Sequence, residues 1–382
     1  MTSSRSLPTQ RDPETAPPDA GPSEVHASAT TKSRSTPKIS VVLPIRNEAA
    51  TIEACLDGLR AQDVPDDGVE ILVVDGMSSD ATRPRVEAYA KRHPRPHIRV
   101  IDNPDRIVPT ALNAGIRAAR GDVIVRMDGH TVPANDYLAR CVDALERTGA
   151  GNVGGCLSPR SQGTFGQAVA LAQAHPLGAG GAAFHGASEA QDTDTVYLGA
   201  FPRSVFEDVG GFDETMRRNQ DYEFNVRLRD AGYTVHLDPS IRSAYTPRET
   251  PAALWRQYLQ YGWWRVATVR RHPTSLRVRQ TIPPVFVAAL VVTTVAAPIL
   301  SVAAWVWAAL LASYALALAV GTLDVVRRSE VALPVVASLP LAFAIIHVAW
   351  GAGFLLAWFT RGRFPYGPSG PPRIPRIEGD SP

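Results

Sequence analysis

The chain has 382 residues, with 39 basic and 37 acidic side chains and a formal net charge of +2. That length carries one catalytic domain of ordinary size plus further segments, and a near-neutral balance gives no ground for a nucleic-acid partner. The three cysteines, Cys55, Cys141 and Cys156, are an odd number at wide spacing, which excludes a disulfide framework and a cysteine metal pattern.

Residues 1–37 are rich in Ser, Thr, Pro and charge and poor in large apolar side chains. Such a segment buries too little surface to offset its ordering entropy, so a disordered tail is expected. No apolar run follows Arg5 and Arg11, so no signal peptide is expected. From Lys38 the texture changes. ISVVLPI (39–45) is apolar and β-branched, the mark of a strand buried on both faces. A helix is expected around 49–61, a second strand, EILVVDG, over 70–76, and a helix around 81–92. A short strand, IRVID, follows at 98–102, then a helix over 109–119 and a strand, DVIVRMD, over 122–128. Strands and helices that alternate with short connections predict an α/β fold with a doubly wound, mainly parallel sheet. Ligands of such sheets bind at the carboxyl ends of the strands. Residues 150–200 are rich in Gly and Ala with weak periodicity, and a loop-rich insertion over the site is expected there.

TPAALWRQYLQYGWWRVATVRRHP (250–273) alternates aromatic residues with arginines in a helical stretch. With its flanks (246–280) it reads as an interfacial amphipathic segment, rings at the headgroups and arginines on phosphates. From Gln280 to Leu323, 44 consecutive residues carry no Asp, Glu, Lys or Arg. A bilayer span takes about 20 apolar residues, so this run fits two helices with a turn near Pro298 and Ser301. The uncharged run Val331 to Thr360 fits one more. About three transmembrane helices are expected over 281–360, then a disordered tail over 361–382. Trp305, Trp307, Trp350 and Trp358 suit the interfaces. Arg270, Arg271, Arg277 and Arg279 precede the first span, and Arg327 and Arg328 follow the second. The positive-inside rule then predicts a multi-pass protein of the cell membrane with its catalytic domain cytoplasmic. A third crossing would carry Arg361, Arg363, Arg373 and Arg376 outside, against the same rule.

Four places carry candidate chemistry. PIRNE (44–48) offers Pro44, Arg46 and Glu48 at the first strand exit, and Asp75 ends the second strand with Asp80 five residues on. Asp128 stands in MDGH, and NQDYEF (219–224) follows VGGFDE. Each alone reads as a helix cap or a solvated turn, Asp80 in SSDAT above all. In this order and spacing they resemble the inverting glycosyltransferases of family two, which have the GT-A fold, over residues 38–245. QYGWWR and the apolar runs behind it narrow the likeness to the succinoglycan-type exopolysaccharide branch.

The resemblance implies a transferase that moves a sugar from a nucleotide diphosphate sugar to a lipid-linked or growing polysaccharide acceptor. It assigns Pro44, Arg46, Glu48, Asp75, Asp80 and Asp128 to the nucleotide sugar, and Gly199 and Ala200 of LGAFPRSVFEDVGGFDE to the acceptor side. Where the family carries Asp-x-Asp, this chain reads Asp128-Gly129-His130, so Asp128 and His130 would hold a divalent metal, Mn2+ or Mg2+. Asp221 would be the base that deprotonates the acceptor hydroxyl. Gln220 stands where the family has Glu, and Glu223 is the rival base; if 219–229 is helical, 221 and 223 share no face. Gln260, Trp264 and Arg265 stand where processive relatives carry Gln-x-x-Arg-Trp, and would touch phosphate or membrane. Two readings of other classes compete. A catalytically inactive scaffold for membrane polysaccharide assembly is disfavoured by the presence of Asp75, Asp128 and Asp221. A transporter has His347 as its candidate intramembrane group, and a satisfied interhelical histidine is the plainer reading of that residue.

Overall fold

The computed structural model describes residues 38–65, 68–179, 187–361 and 372–377. The tail expected over 1–37, and most of the one expected over 361–382, lie outside the described residues. β1 (Ile39–Ile45), α1 (Ile52–Arg60), β2 (Val69–Asp75), α2 (Thr82–Arg92), β3 (His97–Asp102), α3 (Val108–Ala118) and β4 (Val123–Arg126) follow in turn. The four strands run parallel in the order β3-β2-β1-β4. Crossover helices cover both faces, which is why the strands read as continuous apolar runs. Ile39, Val41, Leu43 and Ile45 enter one core with Leu56 of α1, and Val42 enters a second with Leu112 and Ile116 of α3.

The region 150–200 departs from expectation. After β5 (Val132–Pro133) and α4 (Tyr137–Thr148) it supplies β6 (Asn152–Pro159), α5 (Thr164–Ala174), α6 (Pro176–Ala179), β7 (Gln191–Asp192) and β8 (Tyr197–Pro202). α7 (Arg203–Val209) and α8 (Gln220–Asp230) lead to β9 (Val235–Tyr245). β8 runs antiparallel between β4 and β6, and the sheet continues through β9 to β5, with β7 paired on β9. The strand signal is weak here because close backbone approach selects small residues. A Cβ on Gly155 of β6 would collide with the Ile241 carbonyl of β9.

α9 (Pro251–Arg271), α10 (Ile282–Ala296), α11 (Ser301–Arg328) and α12 (Leu333–Phe359) complete the described helices. Among the described residues, three segments, Val278–Ala296, Ser301–Arg328 and Leu333–Phe359, are long and apolar enough to cross a membrane. In the C-terminal half of α9, within the interfacial segment expected over 246–280, Trp263 and Trp264 are buried against Met216 and against Phe354 and Ala357 of α12, while Trp255 in its first half is exposed. Residues 372–377 also depart from the tail expected over 361–382. Arg373 N–H donates to Asp213 Oδ1 (3.0 Å), Glu214 N–H to the Arg373 carbonyl (2.9 Å), and Gly211 N–H to the Pro375 carbonyl (2.9 Å), with Ile377 buried beside them. His347 bonds to the Leu177 carbonyl (2.6 Å) and the Tyr314 hydroxyl (2.9 Å), a satisfied histidine between elements.

Candidate active site

The loops after β1 and β2 are stitched together. Asn47 N–H donates to Ser78 Oγ (3.0 Å), Ser79 N–H to Asn47 Oδ1 (2.9 Å), and Glu48 N–H to Thr82 Oγ1 (2.7 Å). Asp80 Oδ2 accepts from Ala49 N–H (3.3 Å), and Oδ1 accepts from Thr82 N–H (3.0 Å) and the Thr82 hydroxyl (2.5 Å). The Thr82 hydroxyl bond, helped by the amides, holds the Asp80 carboxyl below its usual range. Both its oxygens bind backbone or hydroxyl groups of the two loops, so exposed Asp80 clasps them together. Asp75 is buried; its Oδ1 accepts from Ser78 N–H (3.1 Å) and Oγ (2.6 Å), and its Oδ2 lies 3.8 Å from Arg83 Nη1. Pro44 is half-buried at the β1 exit, and Arg46 is exposed, with no ion pair among the described residues.

β4 ends at Arg126, and strand alternation keeps Asp128 on the same side two residues on. Arg126 Nη2 donates to Asp128 Oδ1 and Nη1 to Asp221 Oδ2, each at 2.9 Å. Burial opposes the guanidinium charge, but Asp128 and Asp221 outweigh it and raise its pKa. Asn219, at φ 60°, takes the left-handed conformation that asparagine tolerates and turns the chain into α8, with Asp221 in its first turn. Burial pushes the Asp221 carboxyl above its ordinary value, while Arg126 pulls it down and Asp128 pushes it up. β1 lies between β2 and β4, so Asp75 and Asp128 share one sheet edge, about 10 Å apart by two strand spacings. Glu223 points elsewhere: it is 1% exposed and bound by Arg227 (2.8 and 3.1 Å) and His272 (3.2 Å).

Glu48 Oε1 meets His130 Nδ1 at 3.1 Å, and this bond raises the imidazole pKa against the effect of burial. Among the described residues no three His, Cys, Asp or Glu side chains form a metal cage. A cation here would draw on Asp128 and His130 and complete its shell from a bound ligand. That donor set fits, because a carboxylate on one ring nitrogen is how proteins orient the other toward a metal.

Three groups escape a motif-based reading. Arg126 is one; an arginine inside the apolar run VIVRMD is a buried charge that demands partners, and this is the signal that could have found it. Tyr197 is the second, its hydroxyl 3.1 Å from Thr131 Oγ1 and 3.5 Å from Asp128 Oδ2. Arg248, exposed after β9, is the third, and its charge is felt by His130.

Five further expected residues lie as follows. Gly199 and Ala200 lie inside β8, where Ala200 pairs with Val125 and Val153. A Cβ on Gly199 would collide with Asn152 Oδ1 and the Phe201 ring, so the close approach it permits here is to the protein's own side chains. Arg265 is 3% exposed, donates to Gln280 Oε1 (2.8 Å) and the Ser275 carbonyl (2.5 Å), and lies 3.9 Å from the Tyr222 ring centre. It fastens the segment after α9 to α8 and reaches neither phosphate nor headgroup. Trp264 is buried beside it, while Gln260 is half-buried and accepts from Arg218 (3.3 Å).

A mixed sheet that gathers carboxylates at one strand edge, continued by apolar helices able to cross a membrane, defines a GT-A-type glycosyltransferase. The profile described as "Glycosyl transferase family 2" matches residues 40–200, and "Glycosyl transferase family group 2" matches 123–320. The succinoglycan biosynthesis protein ExoA of Rhizobium meliloti is 31% identical over 324 residues, 82% of this chain and 93% of that protein. A dolichyl N-acetyl-alpha-D-glucosaminyl phosphate 3-beta-D-2,3-diacetamido-2,3-dideoxy-beta-D-glucuronosyltransferase of Methanococcus voltae is 30% identical over 59% of this chain and 71% of its own length. The solved mannosyltransferase PcManGT from Pyrobaculum calidifontis, in complex with GDP-Man and Mn2+, superimposes with a TM-score of 0.56 at 22% identity. That match covers 84% of this chain and 88% of the other, and at this identity it establishes the fold alone. The chain belongs to glycosyltransferase family 2 and is an enzyme that acts on nucleotide sugars.

Proposed function

We propose that the protein is a membrane-anchored, inverting hexosyltransferase that transfers a sugar from a nucleotide diphosphate sugar to a lipid-linked or growing polysaccharide acceptor at the cytoplasmic face of the cell membrane. The observation that carries this reading is the Asp128–Arg126–Asp221 bridge, which joins the donor end of the cleft to a carboxylate on α8. Inversion needs one base against the attacking hydroxyl. Asp221 fills that role: its raised proton affinity brings it closer to the working pH than an ordinary carboxylate. Arg126 keeps Asp221 ionised and oriented. Asp75 and the stitched loops 44–48 and 75–80 form the nucleotide side, with exposed Arg46 and Arg248 available to the diphosphate.

Asp128 and His130 would hold Mn2+ or Mg2+, and the ion would neutralise charge on the leaving diphosphate. The Mn2+ named for the mannosyltransferase supports the choice of metal. The names of the Rhizobium and Methanococcus relatives support a polysaccharide or a lipid-phosphate-linked acceptor. The test is a panel of nucleotide sugars with detergent-solubilised protein and either metal, following nucleotide release. Asp221→Asn should lower transfer by roughly 10²–10⁴-fold without loss of fold. Full activity of that variant would reject the base assignment.

A further inference from the structure

Three helices are apolar enough to cross a membrane, yet an odd number of crossings would leave residues 372–377 on the face opposite the catalytic domain. Those residues are bonded to that domain, through Arg373 to Asp213 Oδ1 (3.0 Å) and Pro375 to Gly211 (2.9 Å). Ten residues fully extended reach about 36 Å, enough for about 30 Å of hydrocarbon, so length alone does not decide. Composition does: 362–371 holds Arg363, Pro365, Pro368 and Pro371, which no membrane helix formed by so short a run accommodates.

The surroundings of α12 resolve the conflict. Its first half packs on α5, where Leu339 and Ala342 meet Ala168 and Ala172. Its second half lies along α9: Gly262 abuts the Trp350 carbonyl and Gly353 abuts the Leu259 carbonyl, backbone against backbone. At the far end Arg270 donates to the Trp358 carbonyl (3.0 Å) and the Ala357 carbonyl (3.3 Å). α9 is itself pinned to the catalytic domain at both ends, by Ser161 on Glu249 (2.8 Å) and by Arg271 on Asp213 (3.3 Å). α12 also touches the domain-side end of α10, through Gly351 against Pro283. The end of α11 is held to the domain by His175 on Asp324 (2.9 Å). A helix fastened along its whole length to a water-facing domain does not leave that face. α10 and α11 differ, with apolar side chains open from Val291 (58% exposed) to Ile299 (83%) and Trp305 (77%).

We infer that α10 and α11 enter the bilayer as one hairpin, that α12 lies in the plane of the near interface, and that the C-terminus returns to the face of the catalytic domain. The partner of the exposed hairpin is the lipid bilayer. Arg270, Arg271, Arg277 and Arg279, then Arg327 and Arg328, then Arg361, Arg373 and Arg376 all come to one side, and the charge conflict of a third crossing disappears.

The test uses the full-length protein in sealed inverted membrane vesicles, with a protease-cleavable tag at each terminus. Both tags are expected to be lost together from intact vesicles. A C-terminal tag that survives until the vesicles are opened, while the N-terminal tag is lost, overturns the inference. Arg363→Cys gives a readout without a tag: a membrane-impermeant maleimide should label it in the same intact vesicles, and labelling only after opening overturns the inference equally.

Discussion

Replacing Arg126 with Met tests the bridge at the centre of the site. The guanidinium is 11% exposed and donates to Asp128 and Asp221 at 2.9 Å each. Methionine has comparable length and no charge, so the change leaves two carboxylates facing one another without a cation. A hydrogen bond to a charged group contributes about 1.5–3 kcal/mol, and one pKa unit corresponds to about 1.4 kcal/mol. Loss of the Asp221 bond alone should therefore raise its pKa by roughly 1–2 units, from a value already above the ordinary carboxylate. On the proposed function the ionised form is the base, so activity is expected above this pKa and lost as pH falls through it. The acid limb of kcat/KM should move to higher pH by the same roughly 1–2 units. Arg126→Lys keeps the charge, but one ammonium cannot serve both carboxylates as the fork does, so it should restore only part of the shift. The assay is the pH profile of nucleotide release by variants whose circular dichroism matches the parent. Superimposable R126M and parental profiles would refute the claim that Arg126 sets the proton affinity of Asp221.

Glu223→Gln should cost stability and spare the chemistry: it breaks a buried pair with Arg227 and His272, worth about 3–5 kcal/mol, read as a lower Tm with near-parental turnover per folded molecule. His130→Ala should raise the Mn2+ concentration for half-activation, and Glu48→Gln should do so by roughly 10–100-fold through loss of the carboxylate behind the imidazole, both read by metal titration of activity. Because Glu48 raises the His130 pKa, Mn2+ affinity should be full above that pKa and fall as pH drops through it, since only the neutral ring binds metal. Deleting residues 372–382 should remove the burial of Ile377, about 1.5–3 kcal/mol, and with it the partners of Gly211 and Glu214; an unchanged Tm would count against the docked tail.

The parallel half of the sheet was legible because its strands are buried on both faces by crossover helices, which leaves an unbroken apolar signature in ISVVLPI and ILVVD. The antiparallel half was not, because glycines such as Gly155 are selected by contact between backbones and carry no hydropathy. Asp75, Asp128 and Asp221 stood out as acids at strand and helix ends, and the sheet order brings Asp75 and Asp128 to one edge. What composition does not show for Asp80 and Gly199 is their neighbours within the protein, Thr82 and Ala49 in one case and Asn152 and Phe201 in the other. Partners distant in sequence decide such cases; Arg126 and Asp221 are 95 residues apart. The aromatic and basic stretch of α9 shows the same limit, since amphipathic composition does not say which rings another helix covers, as α12 covers Trp263 and Trp264 but not Trp255.

What α9 does bears on the chemistry. Several contacts join it, or the segment just after it, to the first turn of α8 and the approach to that turn. Asn219 Nδ2 donates to the Tyr261 carbonyl (3.3 Å), and Arg265 lies 3.9 Å from the Tyr222 ring centre. His272 bonds Glu223 (3.2 Å), and Arg271 pairs with Asp213 (3.3 Å). These partners flank Asp221 in the chain, and Asp221 itself bonds Arg126. Asp221, the base on the proposed function, is therefore held by the sheet through Arg126, and its chain neighbours by the helix that carries α12. Two attachments fix a segment more tightly than either alone, because a rotation that relaxes one strains the other. On the proposed function, α9 links the base to the helices behind it: it touches the approach to α8 through Asn219 and carries α12, and the apolar helices that would meet a lipid-linked acceptor follow α9 in the chain.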